Sequence, residues 1–238
     1  TSVEVLDSFS KLDRSLSDIS DLKSGTLRLA VVNTSQYFMP HLLGPFCEQF
    51  PNIDVQLRVG NRQQTIDKLQ KGVEDFFVFS HPPNDTETKS FEFLDNPLVA
   101  IAHKDHPLSK RKRLKLSDLS GEPFLMREPG SGTRHAIEEF LRKEKQSVQV
   151  RMTIDSNEAI KHSVMSKLGI SIVSAHALTY GGKTDLVQLP VKELPISSHW
   201  FFVWSKAKRQ TLIADQFLDF VRQDGRDLLA KELNKSTL

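Results

Sequence analysis

The first 23 residues, "TSVEVLDSFSKLDRSLSDISDLK", place Val5, Phe9, Leu12, Leu16 and Ile19 at alternating spacings of four and three. That is a heptad seam, and it predicts a helix over 1–23 that packs along a partner, most simply its own copy. After Ser24-Gly25 the period changes. "TLRLAVV" (26–32), "IDVQLRV" (53–59) and "DFFVFS" (75–80) read as strands, with helices predicted between them at 36–50 and over "RQQTIDKLQKG". This order predicts a βαβαβ unit with a parallel sheet. Pro40 and Pro45 predict a kink or break in the first of its helices. The strand-rich "FEFLDNPLVAIAHK" (91–104) follows.

The pattern then starts again. A strand at 124–128 leads into a helix over 131–145, a strand at 148–154, a helix over 156–169 and a strand at 170–174, with Gly169 expected as the helix C′ glycine. "HWFFVWS" (199–205) reads as a long strand with Trp200 and Trp204 on one core face, and 211–225 as a closing amphipathic helix before a frayed tail, "KELNKSTL". Two α/β units joined by two extended segments predict two lobes with a cleft between them. Ligands of open parallel sheets bind beyond the carboxyl ends of the strands. The residues there are Asn33 to Ser35, Ser80 and His81, Arg127 to Arg134, Ser156 and Asn157, and Ser174 to His176. Hydroxyls and arginines of this kind suit a small anion.

Composition narrows the class. The chain has 238 residues, 38% hydrophobic and 26% charged, so it has enough apolar material for a real core, and its net charge of +2 does not mark a nucleic-acid surface. Its single cysteine, Cys47, cannot form an internal disulfide; set among Leu43, Phe46 and Phe50, it reads as a small buried side chain in a reducing compartment. No stretch reads as a signal peptide or a membrane span, which leaves the cytoplasm as the expected location and no membrane partner. A chain that opens on Thr1 reads as a piece of a longer protein.

"REPGSGTRHA" (127–136) is the densest chemistry. Gly130 and Gly132 permit a tight turn and a close approach, and Ser131 or Thr133 can cap the helix that follows. Unpaired N–H groups and the positive end of the helix dipole attract a carboxylate or phosphate, and Arg134 can add a forked contact. Arg134 is the leading candidate, with Arg127 second because Glu128 stands beside it. Thr34, Ser35, Ser80, Arg127, Gly130, Ser131, Gly132, Thr133, Arg134, Ser174 and His176 are the predicted ligand contacts. The stretch lacks the Gly-Lys-Ser/Thr of a phosphate loop and the Gly-x-Ser-x-Gly of a nucleophile elbow. No nucleophile with an orienting base, paired carboxylates or metal set is visible, so neither enzyme activity, a metal nor a cofactor is expected. His103, Asp105 and His106 read as a polar turn before Pro107, and "SKRKRLKL" (109–116) as a solvated loop between the lobes.

"SGTLRLAVV" after a heptad helix, then "LLGPFCEQFPNIDVQL", "HPL" at 106–108, "REPGSGTR" and "LGISIVSAHAL", together resemble the effector-binding half of LysR-type transcriptional regulators over almost the whole chain. "YFMPHLLGPFC", "REPGSGTR", His176 and Leu178 are most similar to the branch that regulates carbon fixation and inorganic-carbon uptake. Leu168 and Val173-Ser174 depart from the Gly-x-Gly and Leu-Pro that many members carry there. The resemblance implies an α/β, two-lobed fold of the type 2 periplasmic-binding-protein kind, with two Rossmann-like subdomains joined by two crossover strands and preceded by a linker helix. It places the linker at 1–23, lobe I at 25–98 and 204–238, and lobe II at 99–203. It also implies an effector such as 2-phosphoglycolate, ribulose 1,5-bisphosphate, 2-oxoglutarate or NADPH. The implied partners are a second copy (a tetramer at full length), DNA held by a winged helix-turn-helix outside this chain, and RNA polymerase as a further candidate. A transporter's solute-binding receptor shares the lobes and the anion chemistry and is the alternative.

Overall fold

The computed structural model describes residues 24–83, 86–179 and 185–235. The heptad segment, with Val5, Phe9, Leu12, Leu16 and Ile19, lies outside the described residues.

Strands β1 (Gly25–Val32), β2 (Ile53–Gly60), β3 (Phe76–Phe79), β4 (Thr88–Asp95) and β10 (His199–Ser205) form one sheet in the order β2-β1-β3-β10-β4. β1 runs parallel to β2 and β3, as a βαβαβ unit requires, and β10 runs antiparallel to β3 and β4. Strict alternation sorts the side chains onto two faces. Leu27, Leu29 and Val31 join Phe76, Val78, Trp200, Phe202 and Trp204 in the main core, whereas Ala30, Phe77, Phe79 and Val203 face a smaller one. Helix α1 (Met39–Gln49) and helix α6 (Leu212–Phe220) cover the first face through Met39, Leu42, Phe46 and Phe217; α2 (Arg62–Lys71) covers the second through Leu69. The stretch expected as one helix over 36–50 is broken at Phe38. A 3₁₀ turn, Asn33–Tyr37, precedes α1, and Pro40 sits in its first turn, where its missing N–H costs nothing. Cys47 is only partly buried on this helix, and that burial raises its thiol pKa.

The second lobe repeats the plan. β6 (Pro123–Arg127) pairs in parallel with β7 (Gln149–Ile154), while β5 (Leu98–His103) lies between β8 (Ser171–Ser174) and β9 (Leu186–Gln188). The two pieces meet at Ile170, whose N–H donates to the Pro123 carbonyl at 2.9 Å and whose carbonyl accepts from Leu125 N at 2.8 Å. The resulting order, β7-β6-β8-β5-β9, matches that of the first sheet. Helices α3 (Gly132–Lys143) and α4 (Asn157–Met165) pack on opposite faces, through Ile137 and Leu141 on one and Ile160 and Val164 on the other.

Several expectations change. Gly169 is not a helix cap: α4 stops at Met165 and Lys167 takes the left-handed conformation (φ 62°). Gly169 is needed for close approach, because a Cβ there would lie 2.2 Å from the Pro123 carbonyl oxygen at the junction of β6 and β8. The basic run 109–116 is not a loop between lobes, since Leu108, Leu114, Leu116 and Leu119 anchor it in the second core and Arg111 pairs with Asp118. The last helix does not end at Gly225. A π turn, Val221–Gly225, leads into α7 (Arg226–Lys235), so most of the expected frayed tail is helical. Finally, β10 starts at His199, so residues 199–203 belong to the first sheet and not to lobe II, and Leu98 opens β5 in the second.

The lobes are joined by Asn96-Pro97 and by the segment that leads into β10. These crossovers are pinned side by side: Asn96 N donates to the Ser198 carbonyl at 2.8 Å, and Leu98 and Ile196 exchange two backbone bonds at 3.0 Å. Gly169→Ala should destabilise the fold by about 1–3 kcal/mol, the usual range for overpacking against atoms that cannot move aside. A lowered urea midpoint with an unchanged slope is the expected reading.

Candidate functional site

The strand ends of the two lobes converge on one cleft. Lobe I supplies Asn33 and Thr34 after β1, Asn61 and Arg62 after β2, and Ser80 and His81 after β3; lobe II supplies Arg127 at the end of β6, Glu128 after it, and Ser131 to Thr133 at the start of α3. Each segment folds as it does for local reasons. Asn61 forms a reciprocal capping box with Gln64 at the start of α2, and Ser131 Oγ accepts from Arg134 N at the start of α3. Both helices point free N–H groups and positive dipole ends toward the cleft. Gly132 lets lobe I come close, since a Cβ there would sit 2.5 Å from Ser80 Oγ. The free volume is about 20 Å³, room for about one water.

Arg127 is the centre of the cleft and only 4% exposed. Its Nε and Nη2 donate to the two oxygens of Glu128 at 2.7 and 2.9 Å. Nη1 donates to Asn157 Oδ1 at 2.7 Å and lies 3.5 Å from Thr34 Oγ1, and Nη2 lies 3.5 Å from the Asp155 carbonyl. Asn157 Nδ2 donates to Thr34 Oγ1 at 2.9 Å, which closes a buried triangle across the lobes. A second bridge runs beside it. Tyr37 of lobe I donates to Glu158 of α4 at 2.6 Å, and Lys161 joins Glu158 at 2.8 Å while lying over the Tyr37 ring. Burial, then the Glu158 carboxylate, holds the Tyr37 hydroxyl well above its ordinary pKa, so it remains a donor.

Residues 20–226 match the family model described as the LysR substrate binding domain. The chain belongs to that family. The HTH-type transcriptional activator CmpR of Synechocystis sp. is 42% identical over 212 residues, covering 89% of this chain and 70% of that protein. The HTH-type transcriptional regulator CbbR of Sinorhizobium medicae is 39% identical over 223 residues, covering 93% and 71%. Among solved structures, the Synechocystis PCC6803 CcmR regulatory domain, in complex with 2-PG, is 39% identical with a TM-score of 0.79, covering 83% of this chain and 96% of that one. The cofactor-binding domain of the Cbl regulator shares the fold at 21% identity and a TM-score of 0.78. The fold is thus the type 2 periplasmic-binding kind, and the chain is the effector-sensing region of a LysR-type transcriptional regulator. The transport-receptor alternative gains no support.

In this LysR-type domain the cleft gathers Thr34, Ser80, Arg127, Ser131, Gly132 and Thr133 from the predicted contacts. Five others lie elsewhere. Arg134, the leading candidate, turns outward: its Nε pairs with Glu138 at 2.7 Å and its Nη1 donates to the Arg127 carbonyl at 3.0 Å, so it supports Arg127 from behind. The Arg-x-x-x-Glu spacing on a helix is a sequence signal for that pairing. Ser35 Oγ is fully buried and donates to the Val32 carbonyl at 2.6 Å, and Gly130 (φ 83°) serves the turn before α3. Ser174 and His176, the latter opening the short helix α5 (His176–Thr179), belong to the hinge. Ser174 Oγ donates to Asn96 Oδ1 at 2.7 Å, and His176 Nε2 donates to the Asp95 carbonyl at 2.8 Å, at the crossover itself.

Asn61 and Arg62 join the cleft without having been among the predicted contacts, and the strand-end rule applies to β2 as much as to its neighbours. The Arg62 guanidinium donates to the His81 carbonyl at 3.0 Å and lies over the Phe79 ring. Asn157 stands at a strand end in the sequence, and only the fold supplies its partners, Arg127 and Thr34. His103 and His106 accept from backbone N–H groups of the turn that the sequence predicts before Pro107. Among the described residues, Glu92, Asp95 and His199 are the one group of three with metal-ligand atoms close together, and both carboxylates are exposed.

At the cleft mouth the His81 and His135 rings face each other across the lobes, with centroids 4.3 Å apart. Burial, then His135 and Arg62, pushes His81 below its ordinary value of 6.5, with Glu139 opposing. His176 shifts down as well, through burial, against the Asp95 carbonyl. In both cases the unfolded chain takes up the proton more readily. Stability is therefore full above about pH 6.5 and is lost as pH falls through that value toward the folded pKa. The melting temperature should drop between pH 7.5 and 5.5, and His81→Asn should drop less; identical slopes would count against this assignment.

Proposed function

We propose that this domain senses a small anionic metabolite, an organic acid or phosphorylated compound such as 2-phosphoglycolate or 2-oxoglutarate, in the cleft around Arg127. Binding changes the angle between the lobes and so alters DNA binding and transcription of carbon-assimilation genes. The observation that carries this reading is a nearly fully buried arginine at a strand end, flanked by two capped helix starts and a second arginine, Arg62. Burying a guanidinium costs several kcal/mol unless it is paired, so a site that keeps one is shaped for negative charge.

In this reading the contacts are Thr34, Ser80, Arg127, Ser131, Gly132 and Thr133, joined by Arg62 and Asn61. Lobe I comprises 25–96 and 199–235, and lobe II 98–196. The effector shifts a population of lobe angles, and a coupling of about 1–3 kcal/mol gives a several-fold change in promoter occupancy. Residues 1–23 would pair with a second copy, the full-length protein would act as a cytoplasmic tetramer, and RNA polymerase is its further partner. In this reading the domain is a binding module, as suits a relative of transcriptional regulators. No helix of the described residues is long and apolar enough to cross a membrane.

A thermal-shift panel of 2-phosphoglycolate, ribulose 1,5-bisphosphate, 2-oxoglutarate, NADPH and neutral sugars tests the reading. An acid present at about a hundred times its dissociation constant stabilises the folded chain by about 2.7 kcal/mol, which raises its melting temperature. Arg127→Ala should abolish that shift, whereas Arg134→Ala should weaken it less. An equal shift in Arg127→Ala moves the site away from this cleft.

A further inference from the structure

Every donor of Arg127 is engaged. Three partners are neutral: the Asn157 amide, the Thr34 hydroxyl and the Asp155 carbonyl; the fourth, Glu128, carries charge. Asn157 and Thr34 are 3% and 4% exposed and tie the lobes together, while the Glu128 side chain is 19% exposed at the cleft wall. Its two oxygens take the forked face of the guanidinium, the arrangement that any carboxylate or phosphate ligand would seek. With about 20 Å³ free, against the roughly 300–1,000 Å³ of a ligand pocket, no anion can reach Arg127 unless one partner leaves.

We propose that Glu128 is a tethered competitor that occupies the effector's place on Arg127 and sets both the threshold and the charge selectivity of the site. This rests on the reading of the cleft given above. A carboxylate attached to the next residue is present at a high effective concentration, so a free ligand binds only by displacing it. A monoanion merely replaces one negative charge by another and leaves Glu128 unpaired near the cleft. A dianion brings a second charge. Arg62 is there to receive it: its guanidinium lines the same cleft, and no carboxylate among the described residues lies within ion-pair distance of it. Glu128 therefore rejects simple monocarboxylates and admits phosphorylated acids or dicarboxylates.

Calorimetric titrations of 2-phosphoglycolate and of glycolate into the wild-type chain, Glu128→Gln and Glu128→Ala separate the outcomes. Both variants should bind 2-phosphoglycolate about tenfold more tightly, and glycolate affinity should rise by a larger factor, narrowing the ratio between the two ligands. Glu128→Ala should also melt below wild type without ligand and regain the loss in inorganic phosphate, because phosphate re-pairs Arg127. Should Glu128→Gln fold poorly, Glu128→Asp, one methylene too short for the forked contact, replaces it: both ligands should then bind more tightly, while the retained charge keeps the ratio between them. Unchanged or weaker binding in the variants, with wild-type binding intact and lost in Arg127→Ala, overturns the role of Glu128 and leaves the reading of the cleft standing. Binding of 2-phosphoglycolate that survives in Arg127→Ala, or that is absent from wild type and variants alike, overturns both.

Discussion

The guanidinium of Arg127 is a positive charge in a place with little water, and the arrangement around it follows from that. A buried charge persists only when its donors are all used, and here they are used by groups from both lobes. Thr34 comes from the turn after β1, Asn157 from the first turn of α4, and Glu128 from the same strand end as the arginine. Hydrogen bonds to a charged group are each worth about 1.5–3 kcal/mol, so the contacts that satisfy Arg127 also hold the lobes at one angle. Chemistry and shape are coupled because one side chain serves both.

The scaffold makes that coupling usable. Two sheets of the same strand order stand on two short crossovers, and the crossovers carry their own polar lock in Asn96, Ser174 and His176. Hydrophobic cores fill each lobe separately, so the lobes behave as bodies with a narrow joint. The residues between them are mostly polar, with Val32, Phe79 and the Phe38 ring against His176 as the apolar part. Polar contacts exchange partners at modest cost, whereas a packed apolar interface would resist any change of angle. A ligand that prefers one arrangement of the Arg127 cluster therefore has a lever on the whole domain.

Placement in the LysR family agrees with this architecture, and the relatives at 39–42% identity are transcriptional regulators. The shared identity bears on the general plan of lobes and cleft.

Much of this was legible in the sequence. Alternation marked β1, β2, β3 and β10, the 3.6-residue period marked the covering helices, and the Gly-Ser-Gly-Thr stretch marked the start of α3, because strand and helix periods and caps depend on neighbours along the chain. The tertiary structure decided the rest. It put Arg127 rather than Arg134 in the cleft, since one faces a buried amide from residue 157 and the other finds Glu138 one helical turn away. It moved Ser174 and His176 from the cleft to the hinge, gave the first residues of β10 to the first sheet, and made Gly169 a point of backbone contact with Pro123. Apart from the Arg134–Glu138 pair, which helical spacing already suggests, each of these depends on a partner tens of residues away. Local periodicity carries no information about such partners, because they are set by how the sheets assemble.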